Sequence, residues 1–126
     1  ETYKSRVKEA LDKFEFNEEI LSVLKNSIQK NQKIFVGGNG GSASIDSHYV
    51  CDFSNGANKN WSENFRRYKA ICLSSNVGYL SAIANDSHYD EVFKQQLVNL
   101  ASPNDILILI SFYHLLFGIK DLFISC

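Results

Sequence analysis

The sequence lacks most of the features that would assign it to a specialised class. It has no methionine, one proline and three cysteines in 126 residues. Cys51, Cys72 and Cys126 are odd in number and lie outside metal-type spacing, which argues against a disulfide framework and suits a reducing cytoplasm. Acidic and basic residues nearly cancel, to a net charge of −1, so no electrostatic footprint for nucleic acid or an anionic membrane is present. No apolar run reaches the roughly 20 residues that a membrane helix needs. Internal repeats and low-complexity segments are missing too. No signal peptide opens the chain, and its first residue is Glu1 rather than Met, which reads as a trimmed N terminus. What remains is 44% hydrophobic residues in a length suited to one domain with a core of its own.

The most informative stretch is Lys33–Phe53. Ile34-Phe35-Val36 is a short apolar run of the kind a buried parallel strand needs. Gly37-Gly38-Asn39-Gly40-Gly41 follows, a backbone that can take positive φ and let a ligand approach closely. Ser42 stands where an N-cap would, and Ala43–Phe53 reads as a helix. A strand, a glycine turn and a helix start gather free N–H groups and the positive end of a helix dipole, which suits a phosphate or another anion. A tight turn with no ligand would look the same. Along the helix, Ile45, Tyr49 and Phe53 form a row at i, i+4, i+8 that is expected to face the core. Ser44, His48 and Asp52 form a second row, with imidazole and carboxylate one turn apart. Such a pair could hold a metal or place a proton-transfer carboxylate beside an anion, or be a solvated polar face.

The rest of the chain alternates helix and strand patterns. Glu1–Lys30 reads as two helices, with stripes Val7, Ala10, Leu11, Phe14 and Ile20, Leu21, Leu24, Ile28, the second started by Asn17. Ser54–Arg67 is the clearest loop, in which Arg66 and Arg67 could reach a phosphate or serve solubility. Tyr68–Leu73 is a strand, Ser74-Ser75-Asn76 its polar end at the carboxyl edge of the sheet, and Val77–Ala84 a short helix. Asn85-Asp86-Ser87 interrupts the periodicity. Tyr89–Ala101 resumes it, with Val92, Phe93, Leu97 and Leu100 facing inward, until Pro103-Asn104 turns the chain. Asp105–Ile110, the most apolar strand, is expected at the centre of the sheet. This alternation predicts an α/β fold, a parallel sheet with flanking helices joined by right-handed crossovers.

GGNGGSASIDSHYVCDF and AICLSSNVGYLSAIANDSHYDEVFKQQL, together covering most of Ile34 to Ser111, resemble the phosphoheptose isomerase branch of the SIS (sugar isomerase) fold. The resemblance implies the N-terminal part of an SIS domain. Residues 1–33 would be its leading helices, 34–111 the family-like core and 112–126 a divergent apolar tail. It places Asn39, Gly40, Gly41 and Ser42 in the loop that holds a phosphorylated sugar, with Asn85, Asp86 and Ser111 as further substrate contacts. His48 matches a zinc ligand. Asp52 falls on the position of a glutamate that binds metal and moves protons, one methylene shorter. The implied reaction converts sedoheptulose 7-phosphate to an aldose heptose phosphate, with Asp52 shuttling a proton between C1 and C2 through an enediol and zinc polarising the oxygens. A homo-oligomer packed through the N-terminal helices is implied as well.

The resemblance stops at Ser111. A second phosphate loop of small hydroxyl residues is replaced by Phe112-Tyr113-His114-Leu115-Leu116-Phe117, and the family's remaining zinc ligands have no counterpart. Three functions therefore compete: the isomerase, a non-catalytic sugar-phosphate-binding or regulatory module, and a degenerate copy. The branch also includes interaction proteins, such as the replication-initiator-associating protein.

Overall fold

The computed structural model describes residues 1–58 and 66–111. Two helices lead the chain, α1 (Tyr3–Asp12) and α2 (Glu18–Gln29). Thr2 and Ser5 satisfy each other's amides in a capping box on α1. Asn17 caps α2, its Oδ1 accepting from the amides of Glu19 at 2.9 Å and Ile20 at 3.4 Å, with Glu18 and Glu19 in the first turn.

Three strands follow in alternation with helices: β1 (Lys33–Gly38), α3 (Gly41–Ser54), β2 (Lys69–Cys72), α4 (Val77–Asp86), α5 (Val92–Leu100) and β3 (Ile106–Ile110). All pair in parallel, in the order β2-β1-β3. The α/β architecture is as the sequence predicts. The placement of the most apolar strand is not, because β3 pairs only with β1 among the described residues, and β1 is central. Apolar content reports burial on both faces and carries no information about strand order. The order follows from the connections, since α3 carries the chain to one side of β1 and the α4–α5 segment to the other.

Two further boundaries differ. α4 runs on through Asp86, so Asn85 and Asp86 form its last turn and do not interrupt it. The following segment opens as a 3₁₀ turn, Tyr89–Glu91, before α5 begins at Val92. Val92, Phe93 and Leu97 are buried as expected, joined by Gln96, whereas Leu100 is exposed past the helix's contact with the sheet.

Side chains alternate across a strand, so the sheet separates its residues by parity. Phe35, Leu73, Leu107 and Leu109 share one face with Val92, Phe93 and Leu97 of α5, which form the main core. The other face meets α3, and Ile34 and Val36 are fully buried there. At the amino edge, Asp105 holds β3 to β1. Its Oδ1 accepts from the Lys33 amide and its Oδ2 from the Ser102 amide, both at 2.8 Å, and the Lys33 ammonium lies 2.9 Å away. Burial alone raises this carboxyl, but the two backbone donors and the lysine outweigh it and hold it below the ordinary aspartate range. The turn before it closes through Asn104, in the left-handed region at φ +69°.

The tail Phe112–Cys126, with His114, lies outside the described residues, as does part of the Ser54–Arg67 loop. Arg66 Nη1 donates to Gln29 O at 2.7 Å, tying the end of that loop to α2. No helix among the described residues is long and apolar enough to cross a membrane.

Candidate functional site

The glycine turn sits at the carboxyl edge of β1, where open α/β sheets bind ligands. A Cβ on Gly38 would stand 2.8 Å from the backbone of Ser42, so only glycine lets the strand end pack directly on the helix start. The N-cap of α3 is Gly40, at φ +56° and ψ −123°, a conformation that side chains resist. The helix therefore begins at Gly41, and Ser42 is not the cap. It lies in the first turn with its side chain buried against the sheet. The Ser42 amide donates to Asn39 O at 3.0 Å and the Ala43 amide to Gly40 O at 3.1 Å. The amides of Gly40 and Gly41 donate to no partner among the described residues, and both glycines are exposed. This is the donor pair that an anion would meet.

Other parts of the chain arrive at the same edge. Gly38 is level with Ile110 in the β1–β3 register, so Asn39 and Ser111 leave the sheet side by side. Ser74, just beyond β2, has its Oγ 2.7 Å from Gly38 O. Tyr89 reaches back from the 3₁₀ turn and donates its hydroxyl to Asn39 Oδ1 at 2.8 Å. Asn85 and Asp86 are exposed at the end of α4, with Asn85 Nδ2 donating to Asp86 Oδ1 at 3.1 Å.

His48 and Asp52 occupy a different place. Their Nε2 and Oδ2 are 3.6 Å apart on successive turns of α3, with side chains 77% and 65% exposed. Asp52 lies about 15 Å along the helix axis from Ser42, at 1.5 Å per residue. It borders an open, mainly apolar depression of about 450 Å³ with Tyr49, Phe53, Gly56 and Ala57. The loop candidates thus lie at the sheet edge with Ser111 beside them and the His48–Asp52 pair on the outer flank of α3, while no hydrogen bond among the described residues joins Asn85 or Asp86 to either group. Among the described residues no group of three His, Cys, Asp or Glu side chains comes together, so the pair has no third ligand there.

The expected core row of α3 is overturned. Ile45 and Tyr49 are exposed and Phe53 is half-buried, with the Phe53 ring 5.2 Å from that of Tyr68. The row that faces the sheet is Ser42 and Asp46, because the Gly38–Ser42 contact sets which side of the helix points inward. Asp46 is fully buried and went unrecognised in the sequence. Its carboxyl group hydrogen-bonds Ser74 Oγ and accepts from Cys72 Sγ at 3.3 Å, and Ser47 Oγ lies at 3.3 Å. The available signal was the polar end of β2, Cys72 and Ser74, opposite a polar residue one turn after Ser42. Joined through Ser74 to Gly38 O, Asp46 supports the loop from beneath.

The fold and the edge loop define a class. The chain belongs to the SIS-domain family, whose model matches residues 2–113. Its relatives are more particular. It is 35% identical over 92 residues to a probable phosphoheptose isomerase of Thermoplasma acidophilum, covering 73% of this chain and 48% of that one. To the phosphoheptose isomerase of Helicobacter pylori strain P12 it is 33% identical over 110 residues, covering 86% and 55%. The structure of a phosphoheptose isomerase from Neisseria gonorrhoeae matches with a TM-score of 0.57 at 32% identity, over 75% of this chain and 44% of that one. A phosphoheptose isomerase from Francisella tularensis shares the fold at a TM-score of 0.62 and 24% identity. The chain spans about half the length of the curated relatives it matches.

Proposed function

We propose that this chain is the sugar-phosphate-binding part of a phosphoheptose isomerase-type SIS protein. The observation that carries this reading is the Gly38–Ser42 turn, with two uncommitted amides among the described residues at the carboxyl edge of the sheet. In this reading Gly40 and Gly41 hold ligand oxygens through their backbone, while Ser42 keeps the helix start docked on β1. Asn39 and Ser111 line the same edge, and Asn85 and Asp86 contact the sugar from the end of α4. Asp52 is the carboxylate that moves a proton between C1 and C2 of an open-chain heptose phosphate. Its distance from the loop favours binding without turnover by this chain alone. Titration of the 126-residue chain with sedoheptulose 7-phosphate, followed by amide shifts, tests the reading. Shifts at Gly38 to Ser42 are expected, with no aldose product above an Asp52→Asn control. Unperturbed loop amides at millimolar ligand would refute the binding site, and product that disappears in the control would show that the chain is catalytically complete.

Zinc is the cofactor that the resemblance implies, and when bound it would polarise the sugar oxygens. His48 and Asp52 supply two ligands where a tight site needs three or four, so the described residues do not make a zinc site by themselves. Zinc added to the purified chain should be lost on dialysis against a mild chelator, and stoichiometric retention would contradict this.

The same reading makes the protein a homo-oligomer. Supporting it, α1 and α2 carry exposed apolar side chains, among them Leu11, Phe14 and Ile20.

A further inference from the structure

We infer that Tyr89 is a positioning residue for the phosphorylated sugar, acting through Asn39. The inference rests on the sugar-phosphate reading of the glycine loop. Asn39 is exposed between β1 and Gly40, and its side chain ends in an amide with an acceptor oxygen and a two-proton donor. The torsion that sets which end faces outward is broad and roughly two-fold, so an isolated exposed asparagine presents either. Here the Tyr89 hydroxyl, 2.8 Å away, donates to Oδ1. The acceptor end is thereby held towards Tyr89, and Nδ2 is left to offer two donors. That polarity suits phosphate or sugar hydroxyl oxygens.

Tyr89 stands on a firm base. Its 3₁₀ turn ends at Glu91, whose carboxylate is bound by Lys94 Nζ at 2.9 Å and Gln95 Nε2 at 2.8 Å. Val92 and Phe93, the next two residues, are buried in the core. Tyr89 as a whole is 60% exposed, so core packing does not account for where the hydroxyl lies. A rigid support behind a residue at a binding edge is the arrangement by which a first contact is held ready. The bond also joins residues 50 apart, coupling the turn after Asp86 to the glycine loop.

Tyr89→Phe removes the hydroxyl and keeps the ring. In the 126-residue chain, affinity for sedoheptulose 7-phosphate, read from the loop amide shifts, should fall roughly two- to tenfold, the cost of ordering one more side chain on binding. The Asn39 side-chain amide resonances should move in the free protein. In an Asn39→Ala background the same substitution should add no further loss. A parallel titration with inorganic phosphate identifies the oxygen that is met: equal losses point to the phosphate, and a loss confined to the sugar phosphate points to a hydroxyl. Unchanged affinity in Tyr89→Phe, beside normal binding by the parent chain, overturns this inference and leaves the loop reading standing. An equal loss with and without Asn39 overturns it too, because the phenol would then act on the ligand directly or through the fold. A parent chain that shows no loop shifts removes the sugar-phosphate reading and this inference together.

Discussion

At the scale of single residues, the polar anchors do the most specific work. Asp105 accepts two backbone amides and the Lys33 ammonium where β1 and β3 begin, and its carboxyl is held below the ordinary range. A carboxyl whose folded-state pKa is depressed stabilises the fold above its unfolded pKa of about 4, and that contribution is lost as pH falls through the folded value. Asp105→Asn should therefore cost about 1–3 kcal/mol at pH 7. Its difference from the parent should narrow at pH values below about 4. Urea denaturation at pH 7 and pH 3 measures both, and a difference that widened at low pH would contradict the assignment. Asp46 is the corresponding anchor at the opposite edge, fully buried behind its half-buried partners Ser74 and Cys72. A sequence reading passes over such a residue because an aspartate inside a helix usually faces solvent.

At the scale of elements, the strand–turn–helix unit depends on one close approach. Gly38→Ala would place a methyl group 2.8 Å from the Ser42 backbone and push α3 away from β1. The expected loss is about 1–3 kcal/mol, the usual cost of overpacking a tight contact, together with loss of the sugar-phosphate-induced shifts at Gly40 and Gly41. Gly41→Ala is the matched control for stability, since nothing lies within 4 Å of its added Cβ and its φ is ordinary. Equal stability in the two variants would sink the claim that the contact shapes the loop. The same contact explains the misread helix. Periodicity finds two stripes on α3, but the docked Ser42 decides that Asp46 turns inward and that Ile45 and Tyr49 face out.

At the scale of the whole molecule, the described residues leave much apolar surface uncovered. Leu11 and Phe14 are 69% and 71% exposed on and after α1, and every residue of β3 is only half-buried. Exposed stripes of this kind are what a partner copy would cover. Sedimentation at increasing concentration should show self-association of the chain. Leu11→Glu with Phe14→Glu should shift it towards monomer while leaving the circular dichroism of the sheet unchanged. A parent chain that stays monomeric at high micromolar concentration would count against the oligomer.

The sequence by itself determined the local chemistry. Ile34-Phe35-Val36 reads as a buried strand, the glycine run as a turn of unusual backbone, and Asn17 as a helix start, because each follows from side-chain volume, φ freedom or capping donors within a few residues. The resemblance of the loop and of the Asn85-Asp86 stretch was legible for the same reason, since both are contiguous. Everything set by contacts across the chain was decided by tertiary structure. That β1 lies between β2 and β3 among the described residues, that Asp46 is buried, and that Tyr89 meets Asn39 all depend on which elements the crossovers bring together. A helical period of 3.6 residues reports that a helix has faces; the packing against the sheet chooses the one that is hidden.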